Sequence, residues 1–135
     1  MSPTSPARED VRRRGPLSPR RVVVGVLATP ALFAWYVTAG GGAAGAGAAF
    51  LTIVLVSAAL AAATVATYVP ARGESRRSAL GCGPCDVVAG ASVLAAPLLL
   101  SFDPLSASMA VVAVAATAFG LFQRRTTSAS TCSVT

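Results

Sequence analysis

The sequence predicts an all-α fold, an integral membrane four-helix transmembrane bundle with short loops and disordered tails. Three observations carry that prediction. The chain of 135 residues is 54% hydrophobic and only 12% charged, about half the charge that covers an ordinary soluble domain. Its apolar residues come in four long blocks instead of short amphipathic repeats, which is the pattern of bilayer-spanning helices. All eleven basic residues are arginine, and none of them lies inside a block.

The length suits one domain at most. Residues 1–21 form a basic tail with Arg8, Arg12, Arg13, Arg14, Arg20 and Arg21 against Glu9 and Asp10. Its prolines and sparse apolar surface predict disorder. The first span is expected over 22–39, which at about 1.5 Å per residue covers roughly 27 Å, close to the hydrocarbon thickness. Pro30 falls inside it, and Gly40-Gly41-Gly42 ends it. Arg20-Arg21 before an apolar run also resembles a secretion signal. The greater length of the run and the further spans favour a retained helix.

The second span is expected over 45–69. A polar loop, 70–86, follows with Arg72, Glu74, Arg76 and Arg77, then Cys82-Gly83-Pro84-Cys85-Asp86. The third span, 87–102, contains Pro97 and is marginal in length, so Cys85 and Asp86 are expected to join its first turn. A carboxylate is favourable at a helix N-terminus. Asp103-Pro104 makes a tight turn. The fourth span, 105–122, stops at Gln123-Arg124-Arg125, and 123–135 is a Ser/Thr-rich tail.

Arginine placement predicts orientation. Six lie in the N-terminal tail, three in the 70–86 loop and two after the fourth span, and the two alternate connections have none. That asymmetry places both termini and the cysteine loop on the cytoplasmic side of the cell membrane. Phe33, Trp35, Tyr36, Phe50 and Phe102 fall near one set of span ends, and Tyr68, Phe119 and Phe122 near the other, as an interfacial aromatic belt would. The net charge of +6 therefore reflects orientation and not nucleic-acid binding. The expected partner is the lipid bilayer, with a membrane-protein partner or a second copy of the chain. The absence of Lys, His and Asn reads as a GC-rich, prokaryotic coding bias.

Helices in lipid associate through small residues. Ala58, Ala62 and Ala66, Ala113 with Thr117, Ala116 with Gly120, Ala91 with Ala95, and Ser92 with Ala96 offer such contacts. No Asp, Glu, Lys, Arg or His lies inside a block, which argues against an autonomous ion pump. Thr29, Thr52, Ser57, Thr64 and Thr117 are expected to bond to carbonyls of their own helices.

Three cysteines remain as chemistry. In Cys82-Gly-Pro-Cys85 the two-residue spacing directs both sulfurs to one place, which serves metal capture or reversible disulfide formation. Cys132 lies on the same side by topology. Together Cys82, Cys85 and Cys132 make a candidate partial site for a soft metal ion such as Cu(I), Zn(II) or Hg(II), with Asp86 or a partner as a further ligand. The plainer reading is reduced thiols without direct chemistry. The four-letter motif is that of thioredoxin active sites, but no tryptophan precedes Cys82 and no strand–helix alternation surrounds it. In size, helix count and thiol chemistry the chain is similar to small four-helix mercuric-ion transport proteins. Their ion-receiving pair lies in the first helix, where this chain has no cysteine.

The resulting expectation is a non-enzymatic small membrane protein, an accessory or subunit of a larger membrane complex. A soft-metal binding or transport protein is the alternative, and a membrane thiol-disulfide oxidoreductase the third reading.

Overall fold

Four helices account for nearly all of the described chain. The structure, a computed structural model, describes residues 18–70, 73 and 84–130. Helix α1 spans Pro19–Ala39, α2 Ala48–Thr67, α3 Pro84–Phe102 and α4 Ala107–Ser130. Three stretches, Pro19–Ala39, Ala48–Thr67 and Ala107–Thr126, are long and apolar enough to cross a membrane, and Asp86–Phe102 is a shorter apolar helix.

The boundaries follow from local chemistry. Ser18 caps α1, its hydroxyl accepting from the Arg21 backbone N–H at 3.4 Å. Pro19 follows at the first position, where a missing N–H leaves no carbonyl unmatched. The apolar block of the second span begins at 45, yet α2 starts at Ala48, because Gly45 takes a left-handed φ of 85° that no helix accommodates. Helix α3 does include Cys85 and Asp86 in its first turn. Helix α4 starts after Leu105, a non-glycine residue at φ 64°, and outlasts its apolar block by eight residues, 123–130. Those residues contain no Gly or Pro, so nothing breaks the helical hydrogen bonds where hydropathy falls. Thr126 adds to them by donating its hydroxyl to the Phe122 carbonyl at 3.1 Å.

Helix α2 packs along both α1 and α4, and α4 packs along α3. Helices α1 and α3 meet loosely and close the ring. The connections alternate ends. At one end the Leu105 N–H donates to the Gly40 carbonyl at 3.0 Å. Glycine at position 40 leaves room for the Phe50 ring, which would have to shift for a Cβ standing 2.9 Å from it. At the other end the Arg21 Nε donates to the Val69 carbonyl at 2.9 Å, and the Tyr68 hydroxyl to the Asp86 carbonyl at 2.7 Å. The bundle is therefore up-down-up-down.

Residue size runs inside out. The buried positions are largely small: Ala58, Ala61, Ala62, Ala89, Ala96, Ala110 and Ala113, with Ser57, Thr64 and Thr117. The outer surface carries the bulk, with Leu27 67%, Leu98 63%, Phe102 78% and Phe122 65% exposed. Buried residues advance in steps of three and four. They run 50, 54, 57, 61, 64 on α2, 89, 93, 96, 100 on α3 and 110, 113, 117, 120, 124 on α4. That alternation is the seven-residue repeat of left-handed helix packing. The alanine row expected at fourfold spacing, Ala58, Ala62 and Ala66, is buried as well, and Ala66 faces Gly25 of α1.

Two aromatic assignments change. Tyr36 and Phe50 are 0% and 3% exposed and belong to the core, not to an interfacial belt. Each sits near a helix end but on an inward face, which position along the chain does not reveal. Tyr36 donates its hydroxyl to the Val93 carbonyl of α3 at 2.8 Å. Beside it the loose α1–α3 seam leaves an open groove of about 400 Å³ lined by Trp35, Ala39, Leu94, Pro97, Leu98 and Ser101.

Candidate functional site

The described charged residues other than Asp103 gather at the end where α1 and α3 begin and α2 and α4 finish. Arg124 is the centre of that group and is only 7% exposed. Its guanidinium forms an ion pair with the Asp86 carboxylate of α3. It lies over the Tyr68 ring, 4.3 Å from the centroid, within the range of a cation–π contact. Its Nε donates to the Thr67 hydroxyl at 3.3 Å. Tyr68 closes the group by donating to the Asp86 backbone carbonyl.

Each member is placed by its helix. Asp86 stands in the first turn of α3, where the helix dipole favours a negative charge. Thr67 and Tyr68 stand at the carboxy end of α2. Arg124 follows Thr117 by seven residues on α4, so the same inward face that buries the hydroxyl also buries the arginine. A buried charge is tolerable only when paired and hydrogen-bonded, and both conditions hold here. The arrangement joins three helices at one point.

Along the helices the hydroxyls behave largely as the sequence suggests. Thr29, Thr52 and Thr64 each donate to the carbonyl four residues earlier, at 2.8, 2.8 and 3.0 Å. Thr117 does the same toward Ala113 at 3.0 Å. Ser57 and Thr117 also approach each other across the α2–α4 seam at 3.4 Å. That contact is between helices, which the expectation did not include.

The cysteine constellation lies mostly outside the described residues. Cys82 and Cys132 belong to segments that are not described, and of Cys85 only the helical backbone is described. Among the described residues no three His, Cys, Asp or Glu side chains gather to hold a metal ion. Asp86, the candidate further ligand, has its carboxylate committed to Arg124.

Sequence reasoning missed the Arg124 cluster, reading Arg124 as a stop signal and Asp86 as a helix-start residue. The signal that was available is the seven-residue spacing from Thr117 to Arg124. No protein-family model matches the chain, and neither a curated protein nor a solved structure shows significant similarity to it.

Proposed function

We propose that the chain is a four-span membrane protein, with both termini and the 70–86 loop on the cytoplasmic side, that serves as an accessory or subunit of a larger membrane complex. The observation that carries this reading is the distribution of size: alanines and small hydroxyl residues fill most of the interior beside a few larger residues such as Phe50, Val54 and Leu100, while seventeen large apolar residues are exposed. A soluble bundle buries its large apolar residues. Lipid removes that driving force and leaves close packing of small residues as the main attraction between helices. The described polar side chains of the interior are satisfied within the bundle, which supports a packing role over a catalytic one. A reporter fused after Thr135 should read cytoplasmic and one inserted at Gly41 external, and the protein should leave mild detergent together with a stable partner. The reverse reporter pattern would overturn the topology. A lone monomer in mild detergent would count against the subunit role.

The thiol reading stands second, because α3 begins at Pro84 and so puts Cys85 in a helix first turn. Such a position favours thiolate. In this reading Cys82, Cys85 and Cys132 hold one soft cation (Cu, Zn or Hg), or Cys82 and Cys85 cycle as a redox couple. Purified protein should bind about one equivalent of Zn(II) or Cu(I), and Cys82→Ser or Cys132→Ser should abolish it. Binding that survives replacement of all three cysteines sinks the metal version, and thiols that stay reduced in cells sink the redox version.

A further inference from the structure

The arginine-rich end holds more positive charge than the bundle uses. Four described arginines stand there. Arg21 donates to the Val69 carbonyl at the end of α2, and Arg124 is paired with Asp86. Arg20 and Arg125 are exposed at the same end. They lie on α1 and α4, which occupy opposite corners of the helix ring. Asp86 is the only acid at this end among the described residues, and Arg124 already offsets it.

The sequence enlarges the imbalance. The segment that links α2 to α3 leaves and re-enters the bundle here with Arg72, Arg76 and Arg77 against Glu74. The residues before Ser18 bring Arg8, Arg12, Arg13 and Arg14 against Glu9 and Asp10, and no acid follows Arg125. Every cation is a guanidinium, whose planar fork matches two phosphate oxygens at once, whereas an ammonium offers a single point charge. Basic residues directly flanking membrane spans attract anionic headgroups at about 1 kcal/mol each.

We propose that this end is a collar for the phosphate groups of anionic phospholipid headgroups, with Arg20 and Arg125 as its exposed contacts and Arg21 and Arg124 holding the helix ends beneath them. The proposal rests on the membrane reading above. Because the two exposed arginines sit at opposite corners, the collar engages separate lipid molecules around the rim and not one lipid in a pocket.

The full chain in zwitterionic micelles is titrated with short-chain phosphatidylglycerol, phosphatidylcholine or inorganic phosphate while its thermal unfolding midpoint is followed. Phosphatidylglycerol should raise the midpoint, and the other two should not. The variant Arg20→Gln/Arg125→Gln should keep the lipid-free midpoint and bind phosphatidylglycerol about 30-fold more weakly, the equivalent of about 2 kcal/mol. Arg20→Lys/Arg125→Lys should lose less, since it keeps charge but not the fork. An equal response to phosphatidylcholine overturns the proposal, as does an equal response to inorganic phosphate. Unchanged affinity in the glutamine variant overturns the assignment to these two residues. Failure of the membrane reading looks different: the chain would then be released from membranes by alkaline carbonate and stay in solution without detergent.

Discussion

Helix α3 is held differently along its two sides. Against α4 it is held by close approach and by charge: Gly120 lets the backbones meet where a Cβ would stand 2.7 Å from the Ser92 Cβ, and Asp86 pairs with Arg124 a turn further on. Against α1 it is held by the Tyr36 hydroxyl on the Val93 carbonyl, next to a groove that no side chain of the bundle fills. One seam excludes everything larger than hydrogen at its crossing point. The other tolerates a gap of about 400 Å³. The contrast teaches that small residues alone do not make a tight seam. Both sides of α3 contain alanine, and the side that closes is the one with a glycine at the crossing and an ion pair at the end.

Three substitutions test that contrast, each read as the change in unfolding free energy on titration with SDS in mixed micelles. Arg124→Ala should have the largest effect, about 3 kcal/mol, because it leaves the largely buried Asp86 carboxylate without its partner. Adding Asp86→Asn should recover much of the loss, since the orphaned charge is then gone. A loss that Asp86→Asn does not recover would mean that Arg124 acts through the Tyr68 ring and Thr67 instead. Gly120→Val should cost about 1–3 kcal/mol by overpacking, and Ser92→Gly should relieve part of it by removing the side chain that the new methyls meet. If Gly120→Val is silent, the α3–α4 seam is looser than its geometry implies. Tyr36→Phe should cost the least, about 0.5–1.5 kcal/mol for one hydrogen bond, with its effect confined to the α1–α3 side. A tyrosine change that outweighs the arginine change would invert the ranking of the two seams.

The number and order of the helices were legible in the sequence because they depend on apolar length and on a few punctuating residues. Ser18-Pro19, the Gly40–Gly42 run and Asp103-Pro104 act locally, and local signals survive without tertiary information. That Arg20, Arg21, Arg124 and Arg125 share one end of the bundle was legible for the same reason. What escaped was facing. Tyr36 and Phe50 lie near helix ends, where aromatic residues often meet the membrane interface, and only the packing of α1 and α2 turns them inward. Arg124 escaped because hydropathy ends the fourth block at Phe122, whereas hydrogen bonding carries the helix to Ser130. Fourfold alanine rows overlie the alternation of three and four steps that organises the seams. Alanine is so frequent here that nearly any spacing can be found among its positions.

The stepping of α2 and α4 bears on how the molecule can move. Sliding α4 by one turn, about 5.4 Å, would separate Thr117 from Ser57 at little cost, because Thr117 keeps the carbonyls of its own helix. The same slide would pull Arg124 off Asp86 and either drag the guanidinium among alanines or strand the carboxylate. Arg124 therefore acts as a detent that fixes how deep α4 sits against its neighbours. A bundle set in this way makes a poor piston and a good anchor. The motion left to it is tilting or rotation of the whole bundle, not displacement of one helix through the others.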